Sequence, residues 1–346
     1  MNTMTKLFLL LLFFAVICIY PCRVKGESGK LVVVATVHDL GDIAGNVGGD
    51  HVTVTSLCTG RRNPHFLQAK PSYIALARKA DLWIRVGMDL EVGYEGPILD
   101  GSRNSRIRVG NIGHLDASQF IVPLEVPAGE VDRSMGDVHP QGNPHYLLDP
   151  FNARAVARAV RDRLSGIDPD NKADYYKKCG IFVRKIDTAM FGKKTVEELG
   201  GDRLWEVDNN GELDALLKAR ELTKELGGWA LQRKSLSGVS VVTYHKTWSY
   251  FLKRFGMHKA GELEPKPGIP PSPAHLVRIT RRSASGGVKV VMLQPFYNKK
   301  AADFVSGKTA ATTLVCAACS GGKNGPESYI KMMDTLIRRL CAAVQQ

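Results

Sequence analysis

The chain has 346 residues, 44% of them hydrophobic and 23% charged, with a formal net charge of +13. This is ordinary globular composition without a low-complexity tail or an obvious internal repeat, and the length suits two lobes better than one small core. The basic residues are scattered rather than clustered, which argues for a solvated surface, or attraction to an anionic membrane face, over a nucleic-acid partner.

The first 26 residues read as a secretory signal. Lys6 is followed by an almost unbroken apolar run from Leu7 to Tyr20, and Val24-Lys25-Gly26 supplies the cleavage region. The run is short for a spanning helix, which favours cleavage over a retained anchor. Lipidation at Cys18 or Cys22 ranks second, because Ile17 and Pro21 precede them. Loss of Lys6, Arg23 and Lys25 leaves a mature charge of +10. Export implies an oxidising compartment. The odd set Cys58, Cys179, Cys316, Cys319 and Cys341 then leaves at least one thiol unpaired. Cys316 and Cys319 form a CxxC, a weak zinc signal without a second pair.

In chain order, Leu31–Val37 is a β-branched run of the kind found in buried parallel strands, and residues 51–57 alternate as a second strand. Ser72 is placed to cap a short helix ending at Lys79. Residues 82–86 and 107–109 read as further strands. Asp149-Pro150 marks a helix start, with Val156, Val160 and Leu164 at helical spacing. Strands alternating with helices predict a parallel α/β lobe. Tyr175, Cys179, Phe182, Ile186 and Met190 then line one face of a long helix, read as the connector. The second lobe repeats the pattern. Its expected strands are 239–244, 288–293 and 312–315. Trp248, Phe251 and Phe255 mark one helix face, and further helices begin at Ser272-Pro273, Asn298 and Pro326. The expected division is a signal peptide over 1–26, a metal-binding lobe over 27–168, a connecting helix over 169–199 and a second metal-binding lobe over 200–346.

Three of the nine histidines occupy informative places. His65 lies in Asn63-Pro64-His65, in the loop after the 51–57 strand. His145 lies in Asn143-Pro144-His145, just before the helix capped by Asp149. His245 directly follows the 239–244 strand. Ligands of parallel α/β lobes bind at the carboxyl ends of strands, so His65 and His245 belong on opposite walls of one cleft, with His145 joining from the first lobe. Three imidazoles with one open position suit Zn2+ better than Mn2+, which favours harder oxygen donors. Any one of these histidines alone reads as an ordinary surface or core residue.

The segments RRNPHFLQAKPSYIALARKADLWIRVGMDLE (61–91), HPQGNPHYLLDP (139–150), VVTYHKTWSYFLKRFG (241–256), ELEPKPGIPPSPAHL (262–276) and SGGKNGPESYIKMMD (320–334) resemble the zinc/manganese solute-binding receptors of bacterial ABC importers. The resemblance covers nearly all of the chain after the signal. It implies two Rossmann-like α/β lobes with parallel sheets, joined by a single long connecting helix, with a metal ion in the cleft on His65, His145 and His245. It also implies delivery of that ion to an ABC permease, a location in the periplasm or on the outer face of the cytoplasmic membrane, and a monomer. One departure matters. Many members supply a carboxylate after the last strand, but no Asp or Glu occurs between Asp303 and Glu327. The candidates for the fourth position are water, Glu264, Gln294 or Cys316, and the missing carboxylate shifts the expectation toward zinc. His139 reads as a plain loop histidine before an accessory capture group, and Glu91 as a group that orients a ligand. Trp248 and Tyr250 read as packing.

Two rivals come from other classes. A zinc hydrolase also uses three histidines and a water, but no carboxylate is fixed by motif beside a ligand histidine. A metal-binding surface adhesin without a transport role is the other. The chain carries no P-loop of its own.

Overall fold

The computed structural model describes residues 29–129, 136, 138–266 and 268–345. The signal segment 1–26, with Cys18 and Cys22, and Asp137 of the 135–141 loop lie outside the described residues. Two four-stranded parallel sheets form the frame. The first contains β1 (Leu31–Val37), β2 (Val52–Cys58), β3 (Leu82–Arg85) and β4 (His114–Asp116) in the order β2-β1-β3-β4. The second contains β5 (Ser240–Thr243), β6 (His258–Glu262), β7 (Val290–Leu293) and β8 (Thr312–Val315) in the order β6-β5-β7-β8. The two sheets therefore share one topology. Each has its switch point between its first and third strands, the place where α/β sheets open a crevice. The two α/β lobes expected from the sequence are present.

Between them runs the helix Lys172–Phe191, with Tyr175, Cys179, Phe182, Ile186 and Met190 buried along one side. It packs on the Pro150–Ile167 and His38–Gly48 helices of the first lobe and on the Gly228–Leu236 helix that leads into the second. Asp149 caps the 150–167 helix by accepting from the Phe151 amide, and Pro150 takes the first helical position.

One hydrophobic core runs through both lobes. It takes in β1 and β3, the connecting helix and the inner face of the second sheet, where Val241, Val290, Met292 and Leu314 point. Val242, Val291 and Leu293 face the other way, into a smaller cluster with Leu263, Ile279 and Val305, as the alternation of a strand requires. The lobes are also tied across the cleft. The Gly60 amide donates to the Ser320 carbonyl at 3.0 Å, and the Ser320 amide donates to Asp39 Oδ1 at 2.9 Å. Gly60 must be glycine: a Cβ there would sit 1.9 Å from the Cys319 carbonyl oxygen. A shared core and these ties leave room for modest closure only.

Several local expectations fail. Residues 107–109 are not a strand. Ser105–Ile107 is a 3-10 turn capped by Asn104, and the edge strand comes later, at His114–Asp116. Only Ile107 of that stretch is buried, so no strand face exists there. Lys70, not Ser72, precedes the 71–79 helix, with Pro71 in its first turn. The last helix begins at Tyr329 with Ser328 as cap, rather than at Pro326. The His38–Gly48 helix and strand β6 have weak sequence signals. The first carries three glycines, poor helix formers, and the second reads HKAGE, a polar edge strand.

Candidate metal centre

The loop after β2 and the loop before the 150–167 helix use the same local device. In each, an asparagine side chain accepts from the amide of the histidine two residues on: Asn63 Oδ1 from His65 at 3.1 Å, and Asn143 Oδ1 from His145 at 2.9 Å. The intervening proline removes a competing donor and fixes φ. Each imidazole is thus presented from a rigid turn. Asn143 also reaches across the cleft, its Nδ2 donating to the Lys246 carbonyl at 2.8 Å and to Glu125 Oε2 at 2.9 Å. The first-lobe turn is thereby fastened to the segment that carries His245.

His245 extends from the carboxyl end of β5 and is 5% exposed. Its Nδ1 lies 2.7 Å from Glu264 Oε2, which also accepts from the Gly268 amide at 3.1 Å. A carboxylate on Nδ1 holds the tautomer whose Nε2 carries the lone pair, as is usual behind metal-binding histidines.

The three rings converge. Their centroids are 5.2, 5.4 and 5.6 Å apart, His65 Nε2 lies 3.2 Å from His145 Nε2, and one nitrogen from each ring falls within 4.8 Å of the others. Two nitrogens bound tetrahedrally to zinc at ~2.0–2.1 Å would stand about 3.3 Å apart, so the pair fits a shared cation. Burial pushes the His145 imidazole well below its usual range, with the neighbouring charges of His65, His245 and His139 adding to the effect. This favours the neutral imidazole that metal binding requires.

The cavity beside these rings is also lined by Asp39, Thr247, Gln294, Phe296, Tyr297 and Cys319. Gln294 Nε2 donates to Thr247 Oγ1. The other fourth-position candidates fare differently. Glu264 stands behind His245. Cys316 lines a separate cavity with Pro295, Met332 and Arg339, and burial pushes its thiol up to about 12. The CxxC is thus split between two cavities. Cys319, whose place in the histidine cavity the sequence did not signal, has its thiol held well above the usual range by burial. All five described cysteines are free thiols. His139 lies closer than its sequence context implied, its ring centroid 5.0 Å from that of His65.

Glu91 does not orient a ligand. It is buried in the first lobe, where it accepts from Thr36 Oγ1 and the Val86 amide, both at 2.7 Å, and from the Gly87 amide at 3.1 Å. It pins the turn after β3. Burial, opposed by the Thr36 bond and reinforced by the Glu95 charge, raises its pKa from 4.5 to about 7. The folded state therefore holds a proton that the unfolded chain has released between about pH 4.5 and 7, so this group makes the protein less stable as pH rises through that window. Glu91→Gln removes the contribution. In urea titrations, the stability of the variant relative to the parent is expected to rise from pH 5 to pH 8, and a constant difference would contradict this reading. Trp248 and Tyr250 are packing residues, as expected: both are buried, and Tyr250 Oη accepts from the Leu124 amide at 2.9 Å.

Comparison with known proteins gives a consistent picture. Residues 33–190 and 215–343 match the family described as zinc-uptake complex component A, periplasmic (ZnuA). The manganese ABC transporter substrate-binding lipoprotein PsaA of Streptococcus pneumoniae is 29% identical over 180 residues, 52% of this chain and 56% of the relative. The high-affinity zinc uptake system protein ZnuA of Brucella abortus is 24% identical over 197 residues, 57% of this chain and 48% of the relative. The chain thus spans about half the length of the curated relatives it matches. Among solved structures, the cadmium-bound periplasmic metal-binding protein from Candidatus Liberibacter asiaticus superposes with a TM-score of 0.65 at 19% identity, covering 91% of this chain and 100% of that one. At that identity the likeness speaks for the fold.

Proposed function

The chain belongs to the family of the periplasmic zinc-uptake component ZnuA, and we propose that it is an extracytoplasmic receptor that binds one Zn2+ on His65, His145 and His245 and hands it to the membrane permease of an ABC importer. The observation that carries this reading is the convergence of three imidazoles from two lobes on one point. The relatives include both a manganese and a zinc protein, so the choice of ion rests on donor chemistry. Imidazole nitrogen suits zinc, whereas manganese favours carboxylate oxygen. Among the described residues the carboxylate in direct contact with one of the three rings, Glu264, is engaged with His245 Nδ1 and the Gly268 amide. That engagement also leaves it poorly placed to act as a base on a metal-bound water, which disfavours the hydrolase reading.

In this proposal the protein works as a monomer, after export directed by residues 1–26. Among the described residues no helix is long and apolar enough to cross a membrane. The ion is cargo, so its release matters as much as its capture. A site split between two lobes loses affinity when the lobes part, and a docked permease could extract the ion through that route. The test is competition: chelator-stripped protein offered equal Zn2+ and Mn2+, followed by metal analysis. The expected result is one zinc per chain and little manganese. Predominant manganese would contradict the zinc assignment, and no bound metal would contradict the receptor reading altogether.

A further inference from the structure

The register of the second sheet places one more group beside the three histidines. Strands β5 and β7 are neighbours on either side of the sheet's switch point, with Thr243 paired to Met292. Two residues further along each strand come His245 and Gln294. The same register that aims His245 at the cleft therefore brings Gln294 alongside it, at the crevice where α/β sheets bind ligands. Gln294 is 2% exposed and lines the same cavity as His65, His145 and His245.

Its amide is oriented. The nitrogen donates to Thr247 Oγ1, and Thr247 sits two residues from His245, so the side chain is anchored to the loop that carries a ligand. Among the described residues the amide oxygen, Oε1, is buried and accepts no hydrogen bond. A buried carbonyl oxygen left unpaired costs about 1–3 kcal/mol, and it is tolerated where something else satisfies it. A divalent cation does so, because an amide oxygen is an acceptable donor to a hard or borderline ion.

We propose that the amide oxygen of Gln294 is the fourth donor to the metal, closing an uncharged shell of three imidazoles and one carbonyl. The inference rests on the three-histidine reading above and adds to it the group that completes the site. The rival donors are placed less well. Glu264 serves His245 from behind, Cys316 faces another cavity, and His139 is not in the set of groups whose ligand atoms all lie within 4.8 Å. An uncharged shell also bears on selectivity. With no carboxylate bound directly, manganese gains little from this site, and zinc keeps its nitrogen donors.

The experiment compares Gln294→Leu, Gln294→Glu, His139→Ala and His245→Ala with the parent. Each is measured for zinc affinity by chelator competition, for the visible spectrum of the Co2+-loaded protein, and for thermal stability without metal. Gln294→Leu is expected to weaken zinc by ~10- to 100-fold, no more than the loss of a supporting group because water can replace a neutral fourth donor, and to change the Co2+ spectrum. Its metal-free stability should stay close to that of the parent, because the lost hydrogen bond to buried Thr247 is offset by removal of an unpaired buried oxygen, so a folding defect would be visible as such. Gln294→Glu is expected to raise manganese affinity relative to zinc. Unchanged zinc affinity and Co2+ spectrum in Gln294→Leu, with His245→Ala losing zinc, would overturn the Gln294 assignment and leave the three-histidine site standing. Loss of the Co2+ signature in His139→Ala instead would give the fourth position to His139 and overturn the proposal. Full zinc affinity in His245→Ala would overturn the site itself.

Discussion

His245→Ala is expected to weaken zinc binding by more than about a hundredfold. Changing a group that merely supports a ligand costs ~10- to 100-fold in metal affinity, and on the proposed site His245→Ala removes a ligand itself. The loss has a second readout. A ligand at a thousand times its Kd stabilises a protein by ~4 kcal/mol, and a hundredfold weaker site at the same zinc concentration retains only about 1.4 kcal/mol. The zinc-dependent rise in Tm should shrink by several degrees, at ~2 °C per kcal/mol for a chain of this size. Without zinc, the variant should melt below the parent, because buried Glu264 loses its His245 partner, so the zinc-dependent rise within each protein is what reads the site. Glu264→Gln should fall between the two, because His245 keeps its place but loses the carboxylate 2.7 Å from its Nδ1. Equal zinc affinity in parent and His245→Ala would mean that the converging rings are not the site.

Asp187→Ala is expected to lower folding stability by about 3–5 kcal/mol, the cost of removing one partner from a buried ion pair. Asp187 lies on the connecting helix. Arg154, only 2% exposed, places its Nε 2.7 Å from Asp187 Oδ1 and its Nη2 2.5 Å from Asp202 Oδ1. The Trp205 indole also donates to Asp187 Oδ1, at 2.7 Å. Among the described residues, truncation leaves the guanidinium with the solvent-exposed Asp202 as its carboxylate partner and takes away the acceptor of the indole N–H. The effect belongs to the frame rather than the site, so zinc affinity of the folded fraction should stay within about threefold of the parent. Urea unfolding followed by tryptophan fluorescence checks it, and a loss below about 1 kcal/mol would show that the pair is solvated in solution.

What could be read from the sequence follows from how local each signal is. The Asn-Pro-His segments carry their own turn chemistry within three residues, so His65 and His145 stood out before any fold was known. His245 was legible because it follows a strongly β-branched stretch, and position after such a strand has meaning in parallel sheets. The connecting helix announced itself through five apolar residues at regular spacing. Glu264 could be named but not placed. Its position depends on β6, whose sequence HKAGE lacks a strand's pattern and which forms only because β5 offers it an edge. Gln294 is similar: its approach to Thr247 and His245 depends on the β5–β7 register, a long-range pairing that no local pattern encodes. The mistaken strand at 107–109 came from two β-branched residues whose flanking arginines are solvated, and the true edge strand, His114–Asp116, is too short to show alternation. The Arg154–Asp187 pair was invisible because neither residue type signals burial on its own.

The most direct measurement is zinc K-edge X-ray absorption on the protein loaded with one equivalent of Zn2+. A single ion surrounded at ~2.0–2.1 Å by nitrogen and oxygen neighbours, with the outer-shell scattering of three imidazoles, is the predicted result. A shell containing sulfur at ~2.3 Å, or one with fewer than two imidazoles, would contradict the account, because the ion would then sit somewhere other than between His65, His145 and His245.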